Sequence, residues 1–202
     1  MKQTRIIMSG NHPRLILDGI KTMTRRVIIP QPPRHWSIPP ARFYQGYFCE
    51  WGCKIDEDSI KCPYGQAGDR LIIIEAWATE NQYNHLKPSE VPRTAKIWYL
   101  ADEYYNPQIM GKVRSARFMC NWMSRARPEI TEVRAERLQE ISDEDIEKEG
   151  ITGWVLAPGE PVLSGNKAHF IDLWDSLNAK RDYGWDTNCW VFPISFKEMK
   201  HE

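Results

Sequence analysis

Gly19-Ile20-Lys21-Thr22-Met23-Thr24-Arg25-Arg26 is the stretch from which the rest of the chain is best read. A short helix signal precedes it: Asn11 as a cap, Pro13 in the first turn, Leu15 and Ile16 apolar. Gly19 can end that helix in a left-handed conformation, with Ile20 folding back on Leu15. The segment is therefore held at its start, and it presents Lys21, Arg25 and Arg26 with the hydroxyls of Thr22 and Thr24. Cations this close repel one another unless an anion faces them, either a phosphate or a carboxylate of the protein. The stretch is a solvated basic loop, a phosphate cradle, or a site in which Lys21 activates Thr24 as a nucleophile. The last requires a turn-like path that lets Lys21 reach a hydroxyl three residues on.

The run Gly-x-Lys-Thr-x-Thr-x-Arg resembles the signature of the ASCH domain family. Two further places agree: Gly68-Asp69-Arg70-Leu71, a Gly-Asp turn leading into a strand, and Glu147-Lys148-Glu149-Gly150 with the closing stretch Trp190 to Phe196. The chain as a whole looks like the longer, mostly phage-encoded members. The resemblance implies an α+β fold, a PUA-like mixed β-barrel of five to seven strands with short flanking helices, associated with RNA. One branch of the family hydrolyses the acetyl amide of N4-acetylcytidine with a Lys, a Thr and a Glu. Those roles fall here on Lys21 as base or activator, Thr24 as nucleophile and Glu149 as the group orienting Lys21. Thr22, Arg25, Arg26, Glu75, Trp77, Trp122 and Arg125 are the substrate-binding candidates that go with this reading. The pattern is not followed throughout. Arg25 replaces an apolar residue of the hydrolase branch, and insertions at about 30–63, 101–127 and 151–166 double the minimal domain.

Composition sets bounds on this. The 202 residues carry 27 basic and 27 acidic side chains, so the total is neutral, but the distribution is not. Residues 1–54 hold nine Lys/Arg against two Asp/Glu, and 112–127 hold five against none. Two basic segments on one face would suit a polyanion, and an aromatic such as Trp122 among them would suit a base. No eighteen-residue apolar run and no signal-peptide core occur. The chain reads as one soluble, cytoplasmic domain over 1–202, with no membrane partner and an oligomeric state left open. Five cysteines without a secretory signal read as reduced thiols. Cys49, Cys53 and Cys62 lack the spacing of a zinc knuckle, so no metal and no cofactor are expected, a zinc site there being the weaker alternative.

In order, Arg5 to Ser9 reads as a strand, Val27 to Ile29 as another, and 30–42, with five prolines, as an extended arm carrying Arg34, His35 and Trp36. Leu71 to Ala78 is apolar on both faces apart from Glu75, a carboxylate that requires a cation such as Arg25 or else belongs to the site. Ala95 to Leu100 and the alternating Ile130 to Leu138 are strands. Ser142 to Glu149 is a capped helix with an Ile141/Ile146 staple. It places Glu149 in the last turn, where the macrodipole disfavours an anion. Residues 154–166 read as loop, and 167–178 as a helix with His169 and Asp172 on its surface. Three functional readings remain: an amide hydrolase on an acylated nucleoside, a ribonuclease using the same basic cleft, and a non-catalytic module gripping RNA or a host protein.

Overall fold

The computed structural model describes residues 1–33, 42–49, 59–153 and 162–197. Among these described residues, eleven strands and three α-helices are set out in chain order: β1 (Gln3–Ile7), α1 (His12–Leu17), β2 (Met23–Val27), β3 (Arg42–Tyr44), β4 (Tyr47–Cys49), β5 (Ile60–Lys61), β6 (Arg70–Ile74), β7 (Trp77–Ala78), β8 (Trp98–Tyr99), β9 (Glu129–Val133), β10 (Glu136–Arg137), α2 (Asp143–Lys148), α3 (Val162–Asn178) and β11 (Trp190–Lys197). The architecture is mixed α+β. Six strands form the main sheet in the order β1-β6-β9-β11-β10, with β2 on the other edge of β11.

β1 and β6 are parallel, Gln3 facing Arg70 and Ile7 facing Ile74; the other pairings in the sheet are antiparallel. The strand number falls in the range expected of a PUA-like barrel. The described pairings nevertheless trace an open path, with β1 at one end and β2 at the other. Alternation explains how one sheet serves several cores. Leu71 and Ile73 of β6 face the main core with Ile6, Ile130, Phe192 and Ile194. Ile72 and Ile74 face a second core with Trp77, Val91 and Met119. On β11, Val191 points instead to a third core, built under α2 and α3 from Ile141, Ile146, Phe170 and Trp174. Pro193 has no N–H to give. It lies where β10 and β9 part, and its carbonyl still accepts from Arg134 N at 3.0 Å.

Several boundaries differ from the sequence expectation. The strand expected after Arg26 begins within the motif, at Met23, because β11 pairs with it from Val27 to Met23. Leu71 to Ala78 divides around Glu75, and Ile130 to Leu138 divides between Val133 and Glu136. Ala95 to Leu100 keeps only Trp98–Tyr99 as strand, and α3 starts at Val162, inside the expected loop. The arm residues Arg34, His35 and Trp36, and Cys53, lie outside the described residues. No described helix is long and apolar enough to cross a membrane.

The cap of α2 is as read: Ser142 accepts from Asp145 N at 3.2 Å, and Ile141 and Ile146 are buried. Ser142→Ala should therefore lower stability by about 1 kcal/mol, a fall in Tm of about 2–4 °C for a chain this size. Calorimetry showing no shift would contradict the cap.

Candidate functional site

α1 ends as a Schellman motif. Ile20 N donates to Leu15 O at 2.9 Å and Gly19 N to Ile16 O at 3.1 Å, with Gly19 at φ +71°. Asn11 occupies the cap position without a side-chain cap bond. Lys21 N then returns to Leu15 O (3.0 Å), and Thr22 joins α2 to β11, its N–H donating to Lys148 O (2.9 Å) and its carbonyl accepting from Phe196 N (2.8 Å). The motif is thus clamped on both sides before β2 begins.

This clamp buries Lys21. Its side chain is 0% exposed, and Nζ donates to Glu149 Oε2 and to the Glu149 carbonyl, both at 2.6 Å. The Lys21 Nζ bonds both go to Glu149 rather than to Thr24, whose segment runs extended as β2. Gly150 makes the approach possible. It sits at φ +86°, and a Cβ there would lie 3.0 Å from Leu15 Cδ1 and 3.2 Å from Lys21 Cβ. Burial lowers the Lys21 pKa and outweighs the Glu149 carboxylate, whose charge and hydrogen bond oppose it.

Arg25 points the same way. Its Nη2 binds Asp145 at 2.6 Å and Glu136 at 2.9 Å, and its Nη1 lies 3.4 Å from Glu149. Arg134 reaches Asp145 at 2.6 Å and Glu136 at 3.4 Å. Burial alone would raise the Asp145 carboxyl; Arg25 and Arg134 override it and hold that group below its ordinary value. Lys21, Arg25 and Arg134 therefore face Glu136, Asp145 and Glu149, and the network continues outward to Glu132, 3.4 Å from Arg134, and Lys148, 4.0 Å from Asp145. Glu149 caps the C-terminal end of α2, and two cations offset the macrodipole there.

Arg26 faces the other side of β2. Its Nη2 donates to Ile7 O at 2.6 Å and touches Met8 Sδ at 3.4 Å, so one side chain spans the opening between β1 and β2. At this opening lies a cavity of about 390 Å³. Thr24, Arg25, Arg26 and Glu149 line it, and Lys21 sits behind Glu149 rather than in the lining. α3 supplies an apolar wall of Phe170, Leu173, Trp174 and Leu177.

His12, Tyr64 and Arg181 also line the cavity, and the sequence reading missed all three. Burial first, then the charges of Lys21 and Arg26, lowers the His12 pKa to about 4 against the pull of Glu149; His169 acts in the same direction as the two cations. His12 is therefore a neutral imidazole at pH 7. The one available signal was its position, next to Pro13 at the start of the helix that carries the motif.

The remaining candidates lie elsewhere. Glu75 is bound by Arg125, not Arg25, at 2.9 and 3.1 Å, and Arg125 also reaches Asp102 at 2.8 Å and stacks 4.1 Å from the Tyr99 ring centroid. Burial raises the Glu75 pKa in spite of Arg125. Glu75 lines a second cavity, of about 490 Å³, separated from the first by the shared wall of Ile7, Met8 and Ser9. Trp77 is 0% exposed and cannot stack on a ligand; Arg114 lies 5.2 Å over its ring. Trp122 packs half-buried against the Trp77 core. Cys62 is a free, buried thiol in the main core, and no metal-binding cluster occurs among the described residues. Cys53 and the Cys49 side chain are not described, so the zinc alternative lies beyond the described residues.

No family model matches the chain. No match was found among curated proteins. Among solved structures, it is similar to the ASCH domain from Lactobacillus crispatus JV V101, with 11% identity and a TM-score of 0.41 over 98% of this chain and 79% of that one. It is also similar to protein EF3133 from Enterococcus faecalis V583, with 11% identity and a TM-score of 0.43 over 100% of this chain and 84% of that one.

Breaking a buried pair strands a charge, so Lys21→Met and Glu149→Gln should each cost about 3–5 kcal/mol. The double variant should cost clearly less than their sum in urea unfolding, and strict additivity would show that the two are not coupled. His12 sets a pH dependence. The unfolded chain takes up a proton at about 6.5 that the folded chain refuses until about pH 4. Stability attached to neutral His12 is therefore intact above 6.5 and lost as pH falls through that window, by up to about 1.4 kcal/mol per pH unit. His12→Gln should flatten this slope in unfolding measured at pH 7, 6 and 5; an unchanged slope would place the titration elsewhere.

Proposed function

We propose that the cavity between β1, β2 and α3 binds an acylated nucleoside, free or within RNA, and hydrolyses its acyl amide. The observation that carries this reading is the buried Lys21–Glu149 pair, 2.6 Å apart, whose Glu149 lines the same cavity as Thr24. A buried amine whose pKa is lowered, joined to a carboxylate that reaches the ligand space, is a proton store suited to acyl transfer.

We assign the roles differently from the resemblance. Glu149 lines the cavity and Lys21 does not, so Glu149 exchanges the proton and Lys21 is the positioning residue that holds it. Thr24 Oγ1 adds to the acyl carbon and its proton passes to Glu149. The C–N bond then breaks, and the amine leaves with that proton. Water next attacks the acyl-threonine; one of its protons returns to Thr24 Oγ1, and the acid is released. Arg25 steadies the second Glu149 oxygen. Arg26 holds the substrate, and the α3 wall takes its apolar face.

The purified protein should release acetate from N4-acetylcytidine. Thr24→Ala and Glu149→Gln should each lower the rate by at least about 10²-fold, as expected when a nucleophile or proton-transfer group is lost. RNA that is shortened while N4-acetylcytidine stays intact would favour the ribonuclease reading, and Thr24→Ala need not affect that activity. Neither product would leave a binding module only.

A further inference from the structure

The carboxylate cluster does not extend to Arg26. Its carboxylates Glu136, Asp145 and Glu149 are taken by Lys21, Arg25 and Arg134. No described carboxylate lies within ion-pair distance of Arg26, and its buried Nε has no hydrogen-bond partner. The guanidinium is not loose, because the bonds to Ile7 O and Met8 Sδ fix it at the cavity. Burial works against its charge, offset in part by Tyr64 and Glu149, yet an arginine stays protonated at neutral pH. Neutral His12 supplies no counter-charge. A second arginine, Arg181, lines the same cavity from just beyond α3.

Two arginines on separate elements suit one kind of anion better than others. A carboxylate presents its two oxygens in one plane, whereas a tetrahedral phosphate presents oxygens in several directions and so meets donors that arrive from separate elements. Around this charged part the cavity is apolar: Leu173, Trp174 and exposed Leu177 on one side, exposed Ile7 and Ile29 at the rim.

We propose that Arg26 and Arg181 bind the phosphate of a nucleotide whose base lies against the α3 wall, so that the ligand is a phosphate ester rather than a free nucleoside. This rests on the reading of the cavity as a nucleoside site and specifies its substrate class. The phosphate belongs either to a free nucleotide or to RNA.

Calorimetric titration of the full chain with cytidine, cytidine 5′-monophosphate and a short oligocytidylate tests it. The monophosphate or the oligonucleotide should bind about tenfold or more tighter than cytidine at low salt, and that advantage should shrink as salt rises. Preference for the oligonucleotide assigns the phosphate to RNA, and preference for the monophosphate assigns it to a free nucleotide. Arg181→Gln should remove most of the advantage and leave cytidine affinity unchanged. Arg26→Gln should likewise remove most of the advantage and also weaken cytidine binding itself, because Arg26 belongs to the binding site, with circular dichroism reporting whether β1 and β2 stay in place; exposed Arg181 carries the test if they do not. Equal affinity for cytidine and both phosphorylated ligands, or an advantage that survives Arg181→Gln, overturns the proposal. Acetate release without phosphate preference would sink this inference and leave the hydrolase reading intact. Phosphate preference without acetate release would do the reverse.

Discussion

The structure depends on an ammonium group that has no access to water. Burying Lys21 would cost several kcal/mol if the charge were left alone, and the fold answers with two acceptors from one residue, the carboxylate and the carbonyl of Glu149. Meeting that need fixes much else. α1 must end in a tight left-handed turn, α2 must bring its C-terminal end to within hydrogen-bond reach, and the residue after Glu149 must have no side chain. A cavity flanked by these elements inherits their rigidity, which positions Thr24 and Glu149 without reliance on a mobile loop.

The local chemistry of this arrangement was legible in the sequence. The glycine at the end of α1, the serine cap and isoleucine staple of α2, and the odd placement of an acid at Glu149 each have a physical reason that needs no fold. Partner choice was not legible. Glu75 demanded a cation and took Arg125 rather than Arg25, because the pairing was decided by how β6 passes residue 125 rather than by anything near residue 75. His12 and Arg181 escaped notice for the same reason. Neither belongs to a motif, and both matter only because α1 and α3 meet at one opening.

Counting charges by segment also misled in an instructive way. Residues 112–127 hold five cations and no acid, which suggests a surface for a polyanion. Three of the five turn out to be internal fasteners: Arg114 donates to the carbonyls of Tyr83 and Leu86, Arg125 is held by Glu75 and Asp102, and Arg127 donates to Asn121 O. Arginine serves this purpose well because its planar fork can satisfy several carbonyls or both oxygens of one carboxylate at once. A basic stretch rich in arginine and interleaved with buried methionine and alanine is therefore as much a sign of stitched loops as of a binding face.

The opening between β1 and β2 also bears on when its cavity can form during synthesis. β2 lies near the start of the chain, yet its partner β11 is the last strand described, and the residue that neutralises Lys21 stands 128 positions downstream. Contacts this distant close large loops and slow folding. A nascent chain that has emerged only as far as β6 has its motif made but unpaired, with neither α2 nor β11 to hold it. The cavity therefore comes into being after nearly all of the described chain is available, and a chain cut short before β11 would expose a basic, unpaired strand in its place.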